Sequence, residues 1–491
     1  MRARAVGERS IGPVPRTPVA LLGVLLAAAV VLPAAAAAKG PTVRAELQRL
    51  QDAGQVGPAT AAGYRDAYTS ARATLHRLTG YRRAQLKAVV SNVDAAAAGG
   101  LFLPSRLPAL FLTLQRNRAW WAAAPIPRAG QRMRFAASQI IWQFYPGQGL
   151  QIQWLATFGK ANALWMAKGR DAELRALLDE ALGLATQRAG GIAFEYLFHF
   201  DGGRPPWVSG LAQGTALSAL SRAAVRLGDP KYFVAARSAL GIFRTPPPAG
   251  VRVETPAGAH YLQYSYAPDL HVVNGFTQAL NGLHDFALLA NDAEGQALFA
   301  AGERELRVEL PTFDTGAWSR YSQPGAESDL GYHELLRDFL AGLCTRLTDD
   351  AARAPAPAPA PAPPTGGDEA GPAPPIDPTL YCDTAQRFTA DLTTPPVVAV
   401  PAGQTLRQKG SGAVRFTLSK VSVVTVTITR RATVVIRRTA RLGRGDHKIG
   451  FRPAQAGPHT VRVRAVDLAG NAAEATGTLA VRPAPRRHGA D

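Results

Sequence analysis

Cysteine is nearly absent from this sequence. Cys344 and Cys382 are the only two among 491 residues, and nothing in their number or spacing resembles a metal site. The apolar run near the amino terminus contains no cysteine, which excludes lipid attachment at that point. In an exported protein two cysteines can form one disulfide, which here would join the segment around Cys382 to the helical body that ends near Cys344. We predict this disulfide; the alternative is two unpaired, buried thiols.

Acidic residues are also scarce. The chain has 36 Asp and Glu against 55 Lys and Arg, a formal net charge of +19. A charge of this size is typical of nucleic-acid-binding proteins, so its distribution matters. Residues 401–491 contain 17 basic and 4 acidic side chains, and residues 1–40 contain 5 and 1, which leaves the central body nearly neutral. No nucleic-acid-binding signature is visible, and we expect no nucleic acid partner.

The amino terminus has the order of a secretory signal. Four arginines precede the apolar run VALLGVLLAAAVVLP, and five alanines follow it. A basic segment, an apolar segment and a small-residue cleavage site are the three parts of a signal peptide. We therefore predict a signal peptide over residues 1–38 and a secreted or extracytoplasmic protein. The apolar run is long enough that an uncleaved membrane anchor is the alternative.

A proline-rich segment divides the rest of the chain. Residues 354–378 begin with an Ala-Pro repeat, which cannot form a core and favours an extended spacer. After it, short Val/Thr-rich stretches alternate with turn signals, a pattern typical of a small immunoglobulin-like β-sandwich. The predicted regions after the signal peptide are a helical amino-terminal region (41–130), a helical main domain (131–350), a linker that includes Cys382 (351–394), the β-sandwich (395–483) and a basic tail (484–491).

Helical periodicity dominates the chain before the linker. In the stretch from 208 to 227, Leu217, Leu220, Ala224 and Leu227 share one helix face, and GDP then ends the pattern. Similar patterns predict helices at about 231–243, 275–290, 292–309 and 332–347. Amphipathic helices joined in antiparallel pairs bury their apolar faces by stacking, and a closed series forms an α/α toroid, an incomplete α/α barrel, with its loops around one end. The predicted fold class is mainly α, with this toroid followed by the β-sandwich.

Four sequence elements occur in a fixed order within the helical part. They are PPWVSGLAQG (205–214), YLQYSYAPDLHVVNGF (261–276), ELPTFDTG (309–316) and SRYSQPGAESDLGYHELL (319–336). In this order they resemble the carboxyl-terminal catalytic domain of the D-glucuronyl C5-epimerase family, over roughly residues 140–345. The resemblance implies an α/α-barrel catalytic domain that converts glucuronate to iduronate within polysaccharides.

The resemblance also implies three catalytic tyrosines. Tyr264 lies ten residues before the Asn-Gly-Phe element, Tyr321 seven residues after the Asp of Asp-Thr-Gly, and Tyr332 directly before a histidine. These are the family positions of tyrosines that carry protons. Two features depart from the animal enzymes: the loop between Tyr321 and Tyr332 is short, and Gln263 stands where they have an acidic residue. Both departures concern the identity of the polymer more than the reaction type.

The chemistry of such a site needs groups that bind a carboxylate and stabilise negative charge. A phenol titrates near 10 in the free state, so a tyrosine that acts as a base needs a neighbouring cation or hydrogen-bond donors. The candidate substrate-binding residues are Arg204, Gln213, Tyr261, Asn274, Arg320 and His333. We predict no cofactor and no metal, because the scheme requires neither and the His-Glu pair at 333–334 lacks a second histidine at position 337.

Three functions remain open at this point. The first is a secreted epimerase that acts on an acidic, uronate-containing polysaccharide. The second is a lyase, in which the same proton abstraction is followed by loss of the substituent at carbon 4. The third is a non-catalytic polysaccharide-binding protein, with the tyrosines as ordinary packing residues. The arginine-rich sandwich suits contact with an acidic wall polymer; its alternative is a solvated spacer domain.

Overall fold

The computed structural model describes residues 40–353 and 376–484. The predicted signal peptide lies outside these residues, as do the proline-rich repeat and the last seven residues. Within the two described ranges, no helix has the length and apolarity needed to cross a membrane.

The described chain is mainly helical before the linker. Its helices are α1 (Val43–Asp52), α2 (Pro58–Arg77), α3 (Gly80–Ala98), α4 (Leu107–Ala123), α5 (Trp154–Met166), α6 (Asp171–Leu182), α7 (Gly210–Leu227), α8 (Lys231–Ala239), α9 (Gly241–Arg244), α10 (Val273–Ala290), α11 (Ala293–Phe313), α12 (Leu330–Arg353) and α13 (Thr379–Asp391). The helical patterns read from the sequence are confirmed. Helix α13 is additional, because the sequence assigned its residues to the linker.

Short antiparallel strand pairs lie between these helices. The strands are β1 (Arg132–Met133), β2 (Trp142–Tyr145), β3 (Gly149–Ile152), β4 (Thr186–Arg188), β5 (Gly191–Ala193), β6 (Arg252–Glu254), β7 (Ala259–Tyr261), β8 (His271–Val272) and β9 (Ser322–Gln323). Each is two to four residues long, too short to show an alternating pattern, and the sequence analysis did not predict them. The pair of β8 and β9 matters for the site, since β9 directly follows Tyr321.

Helix α7 shows how local sequence sets the bounds of a helix. Ser209 is its N-cap, and the Ser209 hydroxyl accepts a hydrogen bond of 3.3 Å from the backbone N of Ala212. The helix ends at Leu227 because Gly228 adopts a left-handed conformation with φ of 61°. Most residues of α7 are buried, and it packs against α5 and α8. The sequence pattern predicted burial of one face of this helix, whereas the structure buries most of its surface.

Backbone contacts divide the described chain into two compact units. The first unit consists of residues 40–253, 261–268 and 285–298, and the second of residues 254–260, 269–284, 299–353 and 376–484. Residues 41–130 and 131–253 thus lie in the same unit, although the sequence placed a domain boundary between them. The predicted closure of the helices into an α/α toroid remains a prediction.

The first unit contains a buried ion network. The carboxylate of Glu195 accepts hydrogen bonds from Arg106 Nε at 2.6 Å and from Arg188 Nη1 at 2.8 Å, with the Glu195 side chain 1% exposed. Burial opposes ionisation of this carboxyl group, but the two guanidinium groups outweigh burial and lower its pKa. The network joins the residue before α4 and strand β4 to the segment that follows β5.

The second unit ends in a β-sandwich. Its strands are β10 (Val398–Ala399), β11 (Gln404–Arg407), β12 (Gly412–Leu418), β13 (Ser422–Arg430), β14 (Thr433–Leu442), β15 (Gly445–Phe451), β16 (Gly457–Asp467) and β17 (Ala472–Arg482). They form a three-stranded sheet in the order β10-β12-β15 and a five-stranded sheet in the order β11-β17-β16-β13-β14. The Val/Thr-rich stretches of the sequence form strands β12 to β17. The immunoglobulin-like assignment remains a prediction.

The core of the sandwich follows from that alternation. Every second residue of β13 points inward, so Val424, Val426 and Ile428 are buried while the threonines between them are not. Val461 and Val463 of β16 complete the same layer. A single apolar cluster therefore holds the two sheets together.

A disulfide joins the helical part of the second unit to the segment before the sandwich. Cys344 in α12 and Cys382 in α13 are bonded, with their Cα atoms 5.0 Å apart. Helices α12 and α13 pack side by side. The structure describes no free cysteine. The proline-rich repeat lies between the two bonded cysteines in the sequence.

Candidate functional site

Two of the three predicted catalytic tyrosines are neighbours in the second unit. The ring centroids of Tyr321 and Tyr332 are 4.4 Å apart, with an angle of 44° between the ring planes. Tyr321 precedes β9, and Tyr332 lies in the first turn of α12; both side chains are half-buried. The structure thus brings together two phenol groups that are separated by eleven positions in the sequence.

The loop between these tyrosines is held by its own backbone and by small polar side chains. The backbone N of Tyr321 donates to the carbonyl of Ala326 at 3.2 Å, and the backbone N of Ser328 donates to that of Ser319 at 2.8 Å. The hydroxyl groups of Ser319 and Ser328 are hydrogen-bonded at 3.0 Å. The loop is therefore a compact hairpin.

The beginning of α12 is fixed by a side-chain cap. Asp329 Oδ1 accepts a hydrogen bond of 2.9 Å from the backbone N of Tyr332. Asn274, at the start of α10, is buried, and its Nδ2 donates to the carbonyl of Tyr332 at 2.9 Å. Asn274 was predicted to bind substrate, and in the structure its amide positions the backbone of Tyr332.

His333 directly follows Tyr332 in helix α12 and is a buried residue. Its ring is fully buried and stacks on Trp318 at 3.8 Å with an angle of 8°. Its Nε2 lies 3.0 Å from the carbonyl of Phe388, so Nε2 carries the hydrogen. Its Nδ1 accepts from the backbone N of Ser319 at 3.2 Å and lies 2.9 Å from the Ser319 hydroxyl. Burial lowers the pKa of His333 to about 4, which keeps the ring neutral. Both nitrogens are occupied by protein groups.

Two further residues predicted to bind substrate are also fully buried. The amide of Gln213 donates to the carbonyl of Phe194 at 3.0 Å. The hydroxyl of Tyr261 donates to the carbonyl of Leu298 at 2.7 Å. The sequence identified these residues without showing that their polar atoms bind the backbone of their own unit. The proposed substrate site below therefore excludes Gln213, Tyr261 and His333.

Tyr264 lies in the first unit. Gln263 Nε2 donates to the phenolic oxygen of Tyr264 at 2.8 Å. The Tyr264 ring is 5.4 Å from that of Tyr266 and 5.9 Å from those of Phe200 and Trp207. The ring is half-buried within this aromatic group, so Tyr264 has a fixed position and keeps part of its surface accessible.

The two predicted arginines keep solvent contact. Arg204 is exposed and Arg320 is half-buried. Arg320 Nη1 lies 3.4 Å from the carbonyl of Gly325, across the hairpin that follows Tyr321. A guanidinium group in such a place can bind a carboxylate with two parallel hydrogen bonds.

A cluster of two histidines and a glutamate in the second unit was missed from the sequence. His260 Nδ1 and His271 Nδ1 lie 2.9 and 2.7 Å from the two carboxylate oxygens of Glu309, and the imidazole rings stack at 4.0 Å. His271 belongs to β8, which pairs with β9 after Tyr321. The cluster therefore ties that short sheet to α11. Its members are far apart in the sequence, and no motif marks them.

The charges of this cluster follow from burial and hydrogen bonding. Burial opposes ionisation of Glu309, but its hydrogen bonds to His260 and His271 outweigh burial and lower its pKa to about 2. The hydrogen bond to Glu309 raises the pKa of His271, and burial lowers that of His260. One ligand atom from each residue lies within 4.8 Å of the others, and these donor types suit a zinc ion. Both Nδ1 atoms are hydrogen-bonded to Glu309, whereas the buried Nε2 of His260 has no hydrogen-bond partner, and the three residues form a histidine–carboxylate hydrogen-bond cluster.

The sandwich contacts the tyrosine hairpin within the second unit. Glu327, in the hairpin, accepts hydrogen bonds from the backbone N atoms of Val421 and Arg444. Lys420 forms an ion pair of 2.8 Å with Asp467, and its ammonium group lies 5.3 Å from the ring centroid of Trp318. The Lys420 and Asp467 side chains are 1% and 0% exposed. The sandwich is therefore a support for the segment that carries Tyr321 and Tyr332.

The part of the chain that contains these tyrosines is similar to a known protein family. Residues 188–353 match the family model described as D-glucuronyl C5-epimerase C-terminus. The D-glucuronyl C5-epimerase of Caenorhabditis elegans is 36% identical over 130 residues, which cover 24% of this chain and 21% of that protein. An uncharacterized protein of Methanocaldococcus jannaschii is 26% identical over 149 residues, which cover 29% of this chain and 48% of that protein. The chain thus spans less than half the length of these relatives.

Solved structures give weaker similarity. The unsaturated glucuronyl hydrolase of Bacillus sp. GL1 has a TM-score of 0.31 at 16% identity and covers 48% of this chain and 60% of its own. The GH76 alpha-mannanase of Bacteroides thetaiotaomicron has a TM-score of 0.34 at 9% identity and covers 53% of this chain and 66% of its own. At these scores neither structure assigns a fold to this chain.

Proposed function

We propose that residues 188–353, which belong to the D-glucuronyl C5-epimerase C-terminus family, form the catalytic part of an enzyme that inverts carbon 5 of glucuronate residues in a polysaccharide. The observation that carries the proposal is this family match, because Tyr264, Tyr321 and Tyr332 all lie within the matched residues. The activity is that of an isomerase, and the product is an iduronate residue. Secretion of the protein is part of the proposal, since an extracellular polymer is its substrate.

The reaction consists of two proton transfers at one carbon. The hydrogen on carbon 5 is α to the sugar carboxylate, so its removal produces an enediolate whose negative charge must be stabilised where it develops. Inversion requires that the new proton arrive from the opposite face of the sugar. One proton carrier on each face is the simplest arrangement, and a phenol group can donate or accept a proton. The scheme needs no cofactor and no metal.

Tyr264 is proposed as one proton carrier. The hydrogen bond that Gln263 donates to the Tyr264 oxygen supports this role, because a donated N–H stabilises negative charge on a phenolate. Gln263 stands where the animal members of the family carry an acidic residue. An amide donor in that place supplies the stabilisation without adding a second negative charge beside the phenolate.

Tyr321 and Tyr332 are proposed as the other proton carriers. Their rings are 4.4 Å apart, so both side chains can approach one bound sugar. Arg320 lies at the start of the same hairpin and is the proposed ligand of the sugar carboxylate. Arg204, an exposed residue of the first unit, is a second candidate for that role. Asn274 is a positioning residue in this scheme, since its amide holds the carbonyl of Tyr332.

Deuterium exchange tests the proposal. The full chain is incubated in heavy water with polysaccharides that contain glucuronate. Deuterium at carbon 5 identifies an epimerase. New ultraviolet absorbance instead identifies a lyase, and binding without either product identifies a non-catalytic protein; both results contradict the proposal.

Tyrosine variants test the assignment of residues. Tyr321→Phe and Tyr332→Phe should each lower exchange by at least about a hundredfold, because each removes a proton carrier and leaves the ring in place. Tyr264→Phe should do the same. Tyr266→Phe is the matched control, since the Tyr266 ring stacks on that of Tyr264 and has no assigned role. Full exchange in both Tyr321→Phe and Tyr332→Phe would refute the assignment.

A further inference from the structure

The outward surface of the five-stranded sheet is unusually basic. Residues of adjacent strands that are directly opposite each other share a face, so the register of the sheet identifies which side chains point away from the core. Six exposed arginines share this outer face: Arg407, Arg437, Arg441, Arg462, Arg464 and Arg482. We call them the arginine face.

The arginines form a diagonal band. Arg407 of β11 and Arg482 of β17 are paired at one corner of the sheet. Arg437 of β14 and Arg462 of β16 both pair with Thr427 of β13, so they are two strands apart, about 10 Å. Arg464 lies further along β16, and Arg441 lies further along β14, which is the edge strand. The band extends on the order of 30 Å along the strand direction.

Little on this face compensates the positive charge. Glu474 is the one acidic residue among the outward positions of the five described strands, and it forms an ion pair of 2.5 Å with Arg462. Arg437 and Arg441 have no acidic residue directly opposite them. Glu474 lies opposite Arg464 in the register, but its ion pair is with Arg462. Six cations against one anion produce a positive potential over the sheet, which attracts anionic polymers from solution.

The side chains of this face offer hydrogen bonds as well as charge. All six cations are guanidinium groups, which bind carboxylates and phosphates through two parallel hydrogen bonds, whereas an ammonium group acts as a point charge. Thr425, Thr427, Thr460 and Thr476 lie among the arginines and offer hydroxyl groups. The outward positions include no aromatic residue on which a nucleic acid base or a neutral sugar ring could stack. The face therefore suits a flexible polymer with regularly spaced carboxylates and hydroxyls.

We propose that the arginine face binds an acidic polysaccharide whose charges are uronate carboxylates. The choice of a uronate polymer over other polyanions rests on the proposed function, because the same chain then modifies the polymer that it holds. The face keeps a long polymer on the protein while the tyrosine-bearing segment acts on single residues. Binding through the face depends on charge, and it weakens as salt screens that charge.

The test compares two sets of variants of the full chain on immobilised hyaluronan, a polymer that alternates glucuronate with N-acetylglucosamine. The first set combines Arg437→Gln, Arg441→Gln and Arg464→Gln. The control set combines Arg415→Gln, Arg438→Gln and Lys448→Gln, which removes the same charge from exposed positions outside the arginine face. Binding is measured at low and high salt, with dextran as a neutral polymer and double-stranded DNA as a phosphate polymer.

The first set should bind hyaluronan about tenfold more weakly than the unchanged protein, and the control set should differ by less than about twofold. Dextran should not bind. An equal loss of hyaluronan affinity in both sets would show attraction by total charge and overturn the proposal. Absence of hyaluronan binding, or tighter binding of DNA than of hyaluronan, would also overturn it. Thermal unfolding confirms that both sets are folded.

Failure of this proposal is distinct from failure of the proposed function. Exchange at carbon 5 of a short glucuronate oligosaccharide should be the same in the first set and in the unchanged protein, because a short substrate does not need the arginine face. If the first set loses hyaluronan binding and the unchanged protein shows no exchange at carbon 5, the result supports the arginine face and refutes the epimerase. Exchange that proceeds while hyaluronan binding is equal in all proteins would refute the arginine face alone.

Discussion

The carboxylate of Glu327 accepts a hydrogen bond of 3.0 Å from the backbone N of Val421, a residue 94 positions later in the chain. Its other oxygen accepts from the backbone N of Arg444 at 2.5 Å. Glu327 lies in the hairpin between Tyr321 and Tyr332, whereas Val421 and Arg444 belong to the sandwich. The β-rich region is thus part of the structure that holds the proposed proton carriers.

Removal of this contact should loosen the hairpin. Glu327→Ala leaves two backbone N–H groups without their acceptor, which costs about 2 kcal/mol of unfolding free energy. Deuterium exchange at carbon 5 should fall about tenfold, because a displaced tyrosine transfers protons less well. Glu327→Gln keeps one acceptor and should show a smaller loss. Asp338→Ala, an exposed residue of α12, is the control; an equal loss there would contradict a role for the Glu327 contact.

Acid should destabilise the region around His333. Its pKa is about 4 in the folded protein against an ordinary value of 6.5, so the unfolded chain binds this proton more readily. Stability is therefore unaffected above about pH 6.5 and falls as the pH is lowered to about 4, by roughly 3 kcal/mol.

Urea unfolding at several pH values measures this effect. His333→Asn removes the titrating group, so its unfolding free energy should lose the part of the pH dependence that lies between about 6.5 and 4. His447→Asn changes a half-buried histidine of the sandwich and is the control. Identical pH profiles for the unchanged protein and for His333→Asn would contradict the neutral, buried state of His333.

Reduction should weaken the second unit. Cys344 and Cys382 are separated by 38 positions, and a crosslink across a loop of that length restricts the unfolded chain by about 4 kcal/mol at most. Thermal unfolding with and without a reductant should show a lower midpoint in the reduced protein. A variant with both cysteines changed to serine should match the reduced protein and should not respond to the reductant. A midpoint that is unchanged by reduction would show that the packing of α12 on α13 suffices.

Loss of Glu195 should destabilise the first unit strongly. Glu195→Gln removes the negative charge between two arginines, and the Arg106 side chain is 6% exposed, so an uncompensated charge stays buried. The expected loss is about 3 to 5 kcal/mol of unfolding free energy, measured by urea unfolding. Glu173→Gln breaks an exposed ion pair with Arg170 and should have no measurable effect. A stable Glu195→Gln protein would show that the network contributes no net stability.

Much of the secondary structure could be predicted from local patterns. Several strands of the sandwich alternate apolar and polar residues, as the sequence pattern indicated. Helix α7 begins at a serine cap and ends at a glycine, both visible in the sequence. Strand alternation and helix caps depend on residues that are close in the sequence, so the sequence is sufficient to predict them. Helix α13 escaped prediction because it follows the proline-rich repeat and is stabilised by packing on α12.

The candidate site could be predicted in part. Spacing and family resemblance identified Tyr321 and Tyr332, and their proximity is a property of the folded hairpin. Gln213, Tyr261 and His333 have polar groups that could bind a sugar, and the sequence does not show that backbone carbonyls already bind them. The contacts of Glu327 join residues about a hundred positions apart, and no local pattern marks such a pair.

The sequence alone determined where the longer helices before the linker and the strands of the sandwich form, which segment resembles a known family and where the positive charge is concentrated, because these depend on residue type and on spacing along the chain. The tertiary structure decided which polar groups are buried, which histidines stay neutral and which strands place their arginines on one face. Burial and pairing depend on distances between residues that are remote in sequence, and only the folded chain sets those distances.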